Sequence, residues 1–199
     1  SVGVTQDIDS LNVTVGFLVI DYEIWNLTLP MLTSKAAADF SILPSMAESW
    51  TSSEDGLTWT YKLRSDMKWS DGVPMTADDV VFSHNLLITQ GTQSFADVVS
   101  QMIPSVEALD PHTVKFTFVE GFSPNDTIGQ AGSSIVFQKA WYERTGARLD
   151  EARFDISPGT GPYVLDSYSV NEQIVYKRNP DYWGNDLPFN VGRNNFDTI

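Results

Sequence analysis

Between positions 57 and 63 apolar and polar side chains alternate: Leu57, Trp59, Tyr61 and Leu63 are separated by Thr58, Thr60 and Lys62. A period of two puts the four apolar side chains on one face of a strand. Asp55-Gly56 just before it predicts a hairpin turn, because glycine accepts the positive φ such turns require, and Asp71-Gly72 predicts a second turn after Trp69. The period then changes. Thr76 is placed to cap a helix by accepting from the Asp79 amide, and Asp78 and Asp79 sit in its first turn against the positive end of the dipole. Val80, Val81, Leu87 and Ile88, with Phe82 nearby, give that helix an apolar side to lay on the hairpin. Ser105 to Leu109 and Val114 to Phe118, around the turn Asp110-Pro111-His112, predict a second hairpin.

The flanks are less regular. The chain opens on strand-like material, passes a loop at Asp9-Ser10-Leu11-Asn12 and reaches a helix-period stretch from Tyr22 to Leu29, which Pro30 interrupts. Ala36 to Trp50 predicts a connection ending in a short strand, and Ala96 to Met102 a short helix. Pro124 to Ser134, rich in Asn, Asp, Gly and Ser, predicts a loop, and Ile135 to Thr145 a passage from strand to helix. Gly159-Thr160-Gly161-Pro162 breaks the chain before a strand pair, Tyr163 to Tyr168 and Gln173 to Lys177, and Asn179 to Gly184 forms a closing turn. The fold class implied is α/β, mixed α+β.

Composition narrows the function. The 199 residues are 42% hydrophobic, enough for a substantial core, and carry a net charge of −14 with no cluster of Lys and Arg. Phosphate backbones and anionic lipid surfaces are repelled, so nucleic acid is excluded as a partner. There is no cysteine, hence neither a disulfide nor a thiolate metal site. No apolar run approaches the roughly 20 residues that span a bilayer. Three Asn-x-Thr sequons, at Asn12, Asn26 and Asn125, are about what chance provides.

Catalytic groups are sparse. His84 and His112 belong to no metal or nucleophile motif, and structural or solvent roles suit both. Asp78 and Asp79 point about 100° apart on a helix and cannot share a substrate as an acid/base pair. Asp7 and Asp9 could hold a hard cation, but the glycine and terminal glutamate of a calcium loop are missing. Pro162 lacks the amide that a phosphate nest at Gly159-Thr160-Gly161 would use. No catalytic residue, no metal and no cofactor is expected. Trp50, Trp59 and Trp69 have two readings, core packing or a flat platform for sugar rings.

Three blocks in order carry a resemblance. Ala47-Glu48-Ser49-Trp50 with Asp55 to Arg64 and Lys68 to Ser83, then Gly159-Thr160-Gly161-Pro162-Tyr163, then Arg178-Asn179-Pro180-Asp181-Tyr182-Trp183-Gly184, resemble the family 5 extracellular solute-binding proteins, the oligopeptide- and dipeptide-binding components of ABC importers. The resemblance implies a periplasmic-binding-protein-like fold of class C, whose two lobes close on a ligand by a hinge. Residues 1–35 and 146–199 would form the lobe-one core with a mixed β-sheet and flanking helices. Residues 36–145 would be an inserted, hairpin-rich subdomain. Family chains are more than twice this length, so the expectation is an N-terminal fragment without the second lobe, binding solute weakly or undetectably alone.

By position in the family, Phe17, Leu18 and Val19 fall where a peptide lies along the backbone, although the same residues suit an ordinary strand core. Asp21, Tyr22 and Trp25 follow, Gly132, Ser133 and Ser134 precede the inner cleft wall, and Thr160 begins the strand returning to the hinge. The implied partners are a small solute (an oligopeptide or dipeptide first; a sugar, an opine or a nickel complex otherwise) and an ABC permease. The protein would be a monomer, periplasmic or a cell-surface lipoprotein. Two other readings stay open: a carbohydrate-binding accessory domain of an extracellular enzyme, and a ligand-sensing receptor on the same fold.

Overall fold

A computed structural model describes residues 7–16, 18–91 and 93–199. The alternating stretch forms β4 (Thr58–Leu63), paired with β3 (Ala47–Ser52) across the turn at Gly56, whose φ is 69°. The second hairpin is β5 (Ser105–Asp110) and β6 (Thr113–Thr117). The two hairpins join edge to edge through β4 and β6, which sets Trp59 against Phe116 and Tyr61 against Val114 in a four-stranded sheet ordered β3-β4-β6-β5. Tyr61, Leu63, Val114 and Phe116 are all at most 1% exposed. On this sheet lies α2 (Ala77–Gln90), preceded in the core by Met75 and continued by Val80.

Two short hairpins complete the strands: β1 (Thr33–Lys35) with β2 (Ile42–Pro44), and β7 (Tyr163–Ser169) with β8 (Gln173–Arg178). Among the described residues every named pair is antiparallel, where the resemblance implies a mixed sheet. The physical reason is that each strand either follows its partner through a tight turn or, as with β4 and β6, meets it head to tail.

The remaining helices are α1 (Val19–Thr28), α3 (Gln93–Met102), α4 (Pro124–Gly132) and α5 (Lys139–Thr145). The α4 helix overturns the expected loop at 124–134. Ser123 caps it, accepting from the Asp126 amide at 3.3 Å while Asp126 accepts from the Ser123 amide and hydroxyl, and Pro124 stands at the first helical position, where its missing N–H costs nothing. Burial of Thr127 and Ala131 then outweighs two glycines. The helix is pinned to the first hairpin: Trp59 Nε1 donates to Thr127 Oγ1 at 2.8 Å, and that hydroxyl donates to the Gly56 carbonyl at 2.9 Å.

One device recurs at three helix starts. The third helical residue is an aspartate whose carboxylate accepts from the capping residue's amide: Asp21 from Leu18 at 2.9 Å, Asp79 from Thr76 at 3.0 Å, and Asp126 from Ser123 at 3.3 Å. At α2 this replaces the expected bond to the Thr76 hydroxyl; the Asp79 amide donates to the Thr76 carbonyl instead.

A second apolar cluster sets Ile8, Leu11 and Ile24 against Tyr163 and Tyr176, so α1 rests on the β7–β8 hairpin. Asn12 is fully buried and its Nδ2 donates to the carbonyls of Arg148, Leu149 and Glu151, which tethers the opening segment and leaves that sequon no free amide. The glycines of Gly159-Thr160-Gly161 are needed for close approach: a Cβ at Gly161 would collide with the Leu27 carbonyl oxygen, and the Gly161 amide donates to the Thr28 carbonyl at 3.0 Å. Leu32, Tyr182 and Trp183 join the main core with the sheet.

Candidate functional site

Ser133 caps the C-terminal end of α4, its amide donating to the Gly129 carbonyl at 3.1 Å. Gly132, just before it, is wedged against β1, where a Cβ would overlap Thr33 Oγ1. Two hollows flank this point and share Ser133. The larger, about 570 Å³ and open, lies between the end of α1, the β1–β2 hairpin and the loop after Tyr182. Lys35 and Arg193 face it and, among the described residues, no carboxylate lines it, in a chain of net charge −14. Neither cation forms a salt bridge among the described residues. Asn190 on its wall is held by its Nδ2 donating to the Gly184 carbonyl at 2.9 Å. The smaller hollow, about 210 Å³, runs between α2, α3 and β6 and contains His84.

Of the residues the sequence singles out, Ser133 and Ser134 line these hollows. Leu18 and Val19 are neither a ligand-pairing strand nor a strand core: Leu18 is the N-cap of α1 and Val19 its first residue, 73% exposed. Helix wins there because Asp21 can satisfy the Leu18 amide. Phe17 lies outside the described residues. Tyr22 is half exposed and meets Trp25 edge to face at 4.7 Å, while Trp25 itself lines a crevice of about 40 Å³ beside Gly159. Thr160 is buried, its carbonyl accepting from Trp183 Nε1 at 3.0 Å, and Gly132 serves packing.

Asp21 is fully buried beside Asp9; burial first, and the neighbouring carboxyl after it, push it up to about 6. Among the described residues no three His, Asp or Glu side chains converge as a metal site. The tryptophans form no platform, since Trp59, Trp69, Trp141 and Trp183 are at most 8% exposed and Trp25 and Trp50 are half-buried. Sequence reasoning misses Lys35 and Arg193 and gives His84 no role in a site. The two cations come from distant segments, and only their placement on one concavity that no carboxylate lines among the described residues marks them.

The family model of bacterial extracellular solute-binding proteins, family 5 Middle, matches residues 41–199. The chain belongs to this family. The Brucella melitensis protein BMEII0691 is 33% identical across 100% of this chain and 33% of its own length, so the family 5 chain described here spans about a third of that curated relative. Among solved structures, DppA of Helicobacter pylori in complex with the peptide STSA superposes with a TM-score of 0.75 at 26% identity, covering 89% of this chain and 38% of DppA. NikZ of Campylobacter jejuni in complex with Ni(L-His) gives 0.68 at 32% identity, covering 79% and 31%. The fold is therefore that of the family 5 periplasmic binding proteins, mixed in helix and strand. No helix among the described residues is long and apolar enough to cross a membrane.

Proposed function

We propose that this protein is part of the solute-capture component of an ABC importer, that its solutes are short peptides, and that the open concavity beside Ser133 forms one wall of the binding cleft. The observation that carries the reading is the charge of that concavity: two cations, Lys35 and Arg193, with no salt-bridge partner and no lining carboxylate among the described residues of a strongly acidic chain. Two cations facing one concavity with no lining carboxylate suit the C-terminal carboxylate of a peptide. Among the described residues no His, Asp or Glu lines the wall as an acid/base group, which suits holding a solute and releasing it unchanged to a membrane permease. On this reading residues 1–35 with 146–199 and the inserted 36–145 are the two units of the first lobe. The protein acts as a monomer outside the cytoplasm.

Titrating the protein with trialanine in amide-correlation NMR tests this. Resonances around Lys35, Ser133 and Arg193 shift, with a dissociation constant on the order of 1 mM or weaker because one open wall covers only part of the solute. The C-terminal amide of trialanine, and the double variant Lys35→Gln with Arg193→Gln, bind several-fold more weakly. Shifts mapping to another surface, or none at about 10 mM peptide, refute the assignment.

A further inference from the structure

The larger concavity carries more positive charge than one carboxylate neutralises. Lys35 and Arg193 both line it, both are exposed and so within reach of a solute, and no carboxylate joins them there among the described residues. They arrive from different walls. Lys35 ends β1, opposite Ile42 of β2, while Arg193 belongs to the loop after Tyr182.

Each cation stands on a backbone that its own hydrogen bonds fix. The Arg193 amide donates to the Asn190 carbonyl at 2.9 Å, and Asn195 Nδ2 donates to the Gly192 carbonyl at 2.7 Å. Arg193 thus lies between two left-handed residues, Gly192 at a φ of 80° and Asn194 at 56°. On the hairpin side the Ala36 amide donates to the Ser41 carbonyl at 2.9 Å and the Phe40 amide to the Ala36 carbonyl at 3.0 Å. Phe40 is held at a φ of 60°, a region that disfavours a bulky side chain, in the turn that closes directly after Lys35. Neither backbone has to order itself when a solute arrives, which lowers the cost of binding.

Two charges on separate walls of a hollow of about 570 Å³, several times the roughly 150 Å³ that admits benzene, suit a solute with two separated acidic groups. The cations also differ in what they hold best. A guanidinium is a planar fork that meets a carboxylate through two parallel N–H···O bonds, whereas an ammonium is a point charge on a flexible stem and tolerates many approach angles. We propose that this concavity selects solutes bearing two carboxylates, Arg193 taking a C-terminal carboxylate and Lys35 the acidic side chain of the same solute. A peptide ending in glutamate is then preferred over one ending in glutamine. This rests on the reading of the concavity as a solute wall and narrows its solutes. The net charge of −14 opposes every dianion at long range, so a preference for one reports these two local charges.

Amide-correlation NMR titrations compare Ala-Ala-Glu with Ala-Ala-Gln and, free of any peptide bond, the straight-chain dicarboxylates from glutarate to suberate with hexanoate. Ala-Ala-Glu is expected to move resonances at both Lys35 and Arg193 and to bind about threefold more tightly than Ala-Ala-Gln, the size expected of one added ion pair in an open site. Lys35→Gln abolishes that preference and Lys35→Arg keeps it, while Arg193→Gln weakens both peptides and leaves glutamate preferred. At least one dicarboxylate binds more tightly than hexanoate. Measurable but equal binding of the two peptides, a preference for glutamine, or a glutamate preference that survives Lys35→Gln overturns the inference and leaves the concavity as a solute wall. Dicarboxylates that shift Lys35 and Arg193 where neither tripeptide does leave the selection of dianions standing and remove the peptide reading. Shifts at neither cation with any probe remove both.

Discussion

Asp79 accepts from the Thr76 amide at 3.0 Å, from Trp69 Nε1 at 3.3 Å and from the Lys139 amide at 2.9 Å, and so ties α2 to the preceding turn and to the start of α5. Its neighbour Asp78 is exposed. The sequence shows both as charges at a helix dipole; only burial tells the connecting carboxylate from the solvated one. Asp21 has fewer partners, because it faces Asp9 with one oxygen unpaired among the described residues. Its folded value of about 6 lies above the ordinary 3.8, so the native state binds more protons than the unfolded chain between those limits. The contribution of this group to stability is therefore greatest at and below about pH 4 and falls as the pH rises towards 6, by on the order of 2 kcal/mol. An asparagine at this position would keep the Leu18 contact through its carbonyl and donate to Asp9 through its amide. Asp21→Asn is expected to leave the melting temperature unchanged at pH 4 and raise it at pH 7, flattening the profile between. Urea titrations across that range read this directly, and an identical pH profile in both proteins would show that Asp21 is not the titrating group.

At the scale of elements, the hairpins are legible because turn and strand signals lie next to each other: Asp55-Gly56 ahead of the alternating run needs no distant partner to be recognised. The edge joining β4 to β6 is not legible, since α2 and α3 intervene and pairing depends on packing rather than on a local pattern. Composition hides the α4 helix: Asn, Asp, Gly and Ser suggest a loop, while the order Ser123-Pro124-Asn125-Asp126 spells a helix start when position is weighed over content. That helix places Ser133, and Gly132 sets its distance from β1. Gly132→Ala forces its Cβ into Thr33 Oγ1 and is expected to cost about 1–3 kcal/mol. Thr33→Ala opens the space, so the double variant should recover at least half of that loss, a coupling energy above about 0.5 kcal/mol. Additive losses in the cycle would mean that Gly132 matters for its backbone and not for this contact.

For the whole molecule, the three ordered motifs disclose the family without any coordinate, because they are the scaffold: Trp69, Tyr163, Tyr182 and Trp183 are all core residues. The same fact explains why the site is read poorly from sequence. Scaffold motifs repeat a packing solution, whereas the concavity is assembled from the end of α1, the β1–β2 hairpin, the cap of α4 and the loop at 189–194, none of which carries a signature. The fate of the tryptophans follows from this and separates a packed scaffold from a sugar-binding platform. With four indoles nearly inaccessible and two half-buried, acrylamide should quench the fluorescence several-fold less than in the unfolded chain, and the emission should lie well to the blue of free tryptophan. Iodide, repelled by the net charge of −14, should be weaker still at low salt and regain part of its effect as salt screens the repulsion. Efficient quenching by both, suppressed by an added oligosaccharide, would instead put an aromatic face on the surface, and the carbohydrate-binding alternative would take the place of solute capture by this wall.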